Sequence, residues 1–64
     1  MYFNDEQLKI VLLVQKGHTN AEIGDRLGYS AECIKKRLRK IYKLIGVKRR
    51  VELVRFVTQS NTAV

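Results

Sequence analysis

Apolar positions along this chain recur at helical spacing in four blocks, punctuated by glycines at 17, 28 and 46. The first block predicts a helix over about 4–16. Asn4 is placed to cap it, Gln7 stands three residues on to complete a capping box, and Asp5 and Glu6 lie near the positive end of the helix dipole. Ile10, Val11 and Val14 supply its core face, Phe3 is placed as a hydrophobic staple, and Leu12 falls off that face. A second capping box, Thr19 to Glu22, opens a helix over about 20–28 with Ile23, Gly24 and Leu27 on one side. A glycine inside a helix costs about 1 kcal/mol relative to alanine, so Gly24 is expected to serve a close approach by another helix. Tyr29 is placed to plug the core and Ser30 to cap the next helix. That leaves a turn of about three residues, the length of a helix-turn-helix.

The third block, about 30–45, is the most informative. Ile34, Leu38, Ile41 and Ile45 fall within about 60° of arc at 100° per residue, which makes one narrow buried stripe. Opposite it lie Lys36, Arg39, Lys40 and Lys43, with Lys35 and Arg37 on the flanks. The last helix is predicted over about 49–58, with Leu53, Val54 and Val57 facing inward and Val51 and Arg55 outward. Its start is poorly marked, since neither Lys48 nor Arg49 is a good cap. The tail from Gln59 to Val64 looks loosely specified. The expectation is an all-α fold: one four-helix domain over residues 1–64, containing a helix-turn-helix.

Charge changes this picture from a fold to a function. Residues 1–34 carry a net charge of −2, whereas residues 35–64 carry +9. Six of the nine residues from 35 to 43 are basic. Like charges on one helix repel by a few tenths of a kcal/mol per pair, a cost that a polyanionic partner relieves. Such a partner is a nucleic acid or an anionic membrane surface; the alternative is a solvated face that keeps the chain soluble. A single cysteine, Cys33, permits no intrachain disulfide and suits a reducing cytoplasm. One histidine, His18, sits without a ligand set, so no metal or other cofactor is expected. No apolar run reaches the ~20 residues of a membrane span, so a soluble, intracellular protein is expected. A membrane-surface role would use the same charge but would not need a helix-turn-helix, so no membrane partner is expected. Catalytic residues are expected to be none: there is no nucleophile–base pair, no glycine-rich phosphate loop and no carboxylate pair outside the caps.

The run Gly17-His18-Thr19-Asn20-Ala21-Glu22-Ile23-Gly24-Asp25-Arg26-Leu27-Gly28-Tyr29-Ser30-Ala31-Glu32-Cys33-Ile34-Lys35, followed by Leu44-Ile45-Gly46-Val47-Lys48-Arg49-Arg50, resembles the LuxR/NarL (FixJ)-type helix-turn-helix domain of bacterial transcription regulators. The resemblance runs without a gap from Phe3 to Val57. Departures from the family pattern are Gln7 for glutamate, Gly24 for alanine, Cys33 for threonine, Arg37 for histidine and Leu44 for lysine, with Lys43 beside it as a substitute backbone contact. They bear on which DNA sequence is preferred.

The resemblance implies a cytoplasmic regulator that binds double-stranded DNA as a dimer on an inverted repeat, with the third helix in the major groove. By position, it makes Lys35, Lys36 and Arg39 the base-edge contacts, and G-containing half-sites follow from their chemistry. Thr19, Asn20, Arg37, Lys40, Lys43 and Arg50 become the phosphate contacts. Two copies are expected to meet through the last helix at Val51, Val54 and Arg55. Because the family carries a receiver or ligand-binding domain ahead of this one, the chain is either a free-standing regulator or the effector domain of a longer one. Two other readings stay open. The apolar last helix suits a module that binds another regulator, and the similar architecture of sigma-factor region 4 domains suits an RNA polymerase partner.

Overall fold

A computed structural model describes the backbone of residues 3–62 and the side chains of residues 3–59. It contains four helices: α1 (Asp5–Gln15), α2 (Asn20–Leu27), α3 (Ala31–Ile45) and α4 (Arg50–Thr62). Three begin at side-chain caps. Asn4 Oδ1 accepts from the Gln7 amide at 2.8 Å while Gln7 returns the bond to the Asn4 amide at 2.9 Å. Thr19 and Glu22 repeat that exchange at the start of α2. Ser30 Oγ accepts from the Cys33 amide at 3.1 Å and starts α3. These caps take up backbone donors that a helix leaves without an internal partner.

α4 departs from expectation at its far end. It continues through Gln59 and Asn61 to Thr62 rather than stopping near residue 58. No glycine or proline stands in that stretch, and nothing there terminates a helix once it is running. The tail residues Ala63 and Val64 lie outside the described residues. At the other end the first bonds run from Glu52 and Leu53 to the Arg49 carbonyl. A guanidinium accepts no hydrogen bond, so Arg49 caps with its backbone alone.

The core draws on all four helices: Ile10, Val11 and Val14 from α1, Ile23 from α2, Ile34, Leu38 and Ile41 from α3, and Leu53 and Val57 from α4. Burying a side chain of this size contributes roughly 1.5–3 kcal/mol. Ile45 and Val54, expected inside, are half-buried and pack against the rim of this core. Phe3, expected as a staple on its own helix, meets the ring of Phe56 edge-on at 6.5 Å and so joins α1 to α4.

The glycine inside α2 has a different use from the one expected. A Cβ on Gly24 would stand 2.3 Å from the Tyr29 carbonyl oxygen and 3.2 Å from the Ser30 carbonyl carbon. What approaches Gly24 is the backbone of the turn rather than another helix. The turn folds back because Gly28 takes φ 82°, in the left-handed region. The amides of both Gly28 and Tyr29 then donate to the Gly24 carbonyl at 2.8 Å. This closure sets α3 against α2.

Candidate nucleic-acid interface

The helix-turn-helix presents α3 with its apolar stripe inward and its basic residues outward. Lys35, Lys36, Arg39, Lys40 and Lys43 are all exposed. Among the described residues, none offers these five a hydrogen bond or an ion pair. Fifteen residues of helix make a rod about 22 Å long, and a B-DNA major groove about 12 Å wide admits such a rod. The face is a row of four strongly hydrated ammonium groups on flexible stems with one guanidinium, Arg39, among them.

Two other basic residues assigned to phosphates in the sequence are placed differently. Arg37, half-buried on the flank of α3, pairs through Nη1 with the Glu6 carboxylate of α1. Its Nε donates to Cys33 Sγ at 3.4 Å, and its guanidinium carbon lies 4.3 Å from the centre of the Tyr29 ring. Tyr29 closes the cluster by donating its hydroxyl to the other Glu6 oxygen. That hydrogen bond raises the Tyr29 pKa above the ordinary phenol value of 10.0, with burial as the next cause. A phosphate reaching for Arg37 has to compete with Glu6.

Arg50 is similarly engaged. Nη1 donates to Asn20 Oδ1 at 2.7 Å and Nη2 donates to the His18 carbonyl oxygen. Two residues expected to touch phosphates therefore touch each other. Thr19 spends its hydroxyl oxygen on the Glu22 amide. In return the Thr19 amide donates to Glu22, and that bond holds the Glu22 carboxyl below its ordinary pKa of 4.5.

The groove between the start of α1 and the flank of α3 has a volume of about 350 Å³ and is bordered by Glu6, Cys33, Lys36, Arg37 and Lys40. Glu6 and Tyr29 are the participants that sequence reasoning missed. On α4, Val51 is 58% exposed, Arg55 is exposed and Val54 is half-buried. Among the described residues, no cluster of metal-binding side chains occurs and no helix is long and apolar enough to cross a membrane.

Four helices, a tight turn between the second and third, and an unneutralised basic face on the third define a helix-turn-helix DNA-binding domain. A family model for bacterial regulatory proteins of the luxR family matches residues 4–57. The chain belongs to that family, whose helix-turn-helix binds double-stranded DNA in transcription regulators. Searches of the curated proteins and of the solved structures return no significant match.

Proposed function

We propose that this domain reads a specific duplex sequence by laying α3 in the major groove, two copies at a time on an inverted repeat. The observation that carries this reading is the outer face of α3, where Lys35, Lys36, Arg39, Lys40 and Lys43 stand exposed without partners among the described residues. Recognition helices reach base edges with their early residues, which assigns base contact to Lys35, Lys36 and Arg39. Their donors suit the O6 and N7 acceptors of guanine. Lys40 and Lys43, further along, and Thr19 and Asn20, at the start of α2, fit phosphates. Arg37 and Arg50 are supports of this surface, because each is already bonded within the fold. The exposed Val51 and Arg55, with Val54 behind them, supply the self-complementary patch through which two copies meet.

The test is a selection from randomised duplex DNA at two salt concentrations, with sequencing of what the purified domain retains. The expected outcome is a G-containing inverted repeat whose recovery falls steeply as salt rises, since each neutralised phosphate adds about 0.9 to the log–log slope. Failure to retain any duplex at low salt would overturn the reading. Retention with no enriched sequence would reduce it to charge-driven coating of DNA.

A further inference from the structure

Three consecutive basic residues, Lys48, Arg49 and Arg50, lead into α4. The first two are exposed, and the third turns inward. Its guanidinium spans two elements, with Nη1 on the Asn20 side chain and Nη2 on the His18 carbonyl. Both arms of the fork are thereby used inside the fold, which is the rigid bidentate geometry that distinguishes arginine from lysine.

The bond to Asn20 has a chemical consequence. An asparagine amide carries an acceptor oxygen and a donor nitrogen, and a guanidinium donates only. Arg50 therefore takes the oxygen and fixes the amide flip, leaving Nδ2 as the free end. No hydrogen bond within the described residues uses Nδ2, and no buried side-chain nitrogen or oxygen lacks a partner. Nδ2 consequently opens to solvent with two N–H groups to offer. A free asparagine would present either end, and its oxygen would repel a phosphate.

We infer that Arg50 is a positioning residue for DNA binding: it holds the Asn20 amide by its oxygen so that Nδ2 donates to a DNA phosphate, and it makes no phosphate contact itself. This rests on the DNA-binding reading above. It departs from a direct contact in a measurable way, because a neutral amide displaces no counterion whereas an arginine on a phosphate does.

The experiment measures binding of the full chain to its selected duplex across a salt series, for the wild type and for Arg50→Ala, Asn20→Ala, the double variant and Asn20→Asp. Arg50→Ala and Asn20→Ala should each weaken binding about tenfold, the scale of one charge-assisted hydrogen bond. Both should leave the salt slope as in the wild type, and the double variant should bind no worse than Asn20→Ala alone. Asn20→Asp guards against a folding artefact. A carboxylate at the start of a helix beside Arg50 keeps the fold at least as stable, yet it has no donor for a phosphate. Its thermal midpoint should not fall, while its DNA affinity should drop further than that of Asn20→Ala. A slope lowered by about 0.9 in Arg50→Ala would overturn the inference, since Arg50 would then be neutralising a phosphate directly. Additive losses in the double variant, or an Asn20→Asp that binds like the wild type, would overturn it as well. If the wild type itself retains no duplex, the parent reading falls and takes this one with it; any other failure leaves the parent intact.

Discussion

The outer face of α3 and the flanks of the same domain carry the same sign of charge and are built in opposite ways. On the outer face, four lysines and Arg39 stand exposed, with no hydrogen-bond or ion-pair partner among the described residues. On the flanks, Arg37 and Arg50 are half-buried, and each bonds to at least two groups on other parts of the chain or in its own helix. The chemistry of the two side chains fits most of the division, and Arg39 stands in the free set by its position on the outer face. A lysine ammonium on four methylenes keeps its hydration and its freedom, whereas a guanidinium matches carboxylates, amides and aromatic faces with a planar fork. Net charge alone treats all seven alike. The structure separates cations available to a partner from cations already used inside the fold, Arg37 tying α3 to α1 and Arg50 tying α4 to the start of α2.

The sharpest way to break that comparison is to remove the free set and watch DNA binding alone. Lys36→Ala and Arg39→Ala are each expected to cost roughly ten- to a hundredfold in affinity for the selected site, the scale of a lost base contact. Neither should move the thermal midpoint, because both side chains are exposed and have no partner among the described residues. Competition binding beside thermal unfolding checks both halves. A change that lowers stability and affinity together would show that the outer face is part of the scaffold after all.

How far the sequence foretells this arrangement depends on the reach of each interaction. The caps at Asn4, Thr19 and Ser30 are legible because cap and partner stand three residues apart. The inward stripe of α3 is legible because it repeats. Glu6 reads as a favourable charge near a helix start, and that adequate local explanation conceals its bond to Arg37, 31 residues away. The Arg50–Asn20 bond spans 30 residues and leaves no periodic trace. The end of α4 falls later than expected because nothing in the sequence stops it.

Gly24 lies between these cases: its oddity inside a helix is visible in the sequence, but the turn carbonyl it accommodates is not. Gly24→Ala therefore makes the next prediction. Overpacking costs about 1–3 kcal/mol against a helix-propensity gain of about 1 kcal/mol. A Cβ only 2.3 Å from a backbone oxygen makes the first effect win. The denaturant midpoint should fall, and a higher midpoint would show that the turn moves aside freely.

The division between free and engaged cations also predicts a crossed pattern of smaller effects. Lys40→Ala and Lys43→Ala should each lower the salt slope of DNA binding by about 0.9 and leave stability unchanged. Arg37→Ala should do the reverse. It strips Glu6 of its ion pair and uncovers the Tyr29 ring, so the thermal midpoint falls while the slope stays close to that of the wild type. The measurement is one salt series and one melting curve per variant. A reduced slope in Arg37→Ala would mean that DNA draws the guanidinium away from Glu6, and the supports and the contacts would no longer be separate sets.

The smallest effect concerns the hydroxyl that completes the Arg37 cluster. Tyr29 donates to Glu6, and ionising the phenol would remove that donor and set a second negative charge beside the carboxylate. The folded-state pKa is accordingly raised above 10.0. A raised pKa means that the stability linked to this proton is fully present below the unfolded value and is lost as pH rises through the folded one. An ultraviolet titration of tyrosinate, wild type minus Tyr29→Phe, should isolate one phenol with a midpoint above the ordinary value. Alkaline melting curves should then show the wild type losing its advantage over Tyr29→Phe as pH rises from the ordinary phenol value through that midpoint. A difference midpoint at or below 10.0 would show the hydroxyl facing water in solution, and Glu6 would then hold Arg37 without help from the turn.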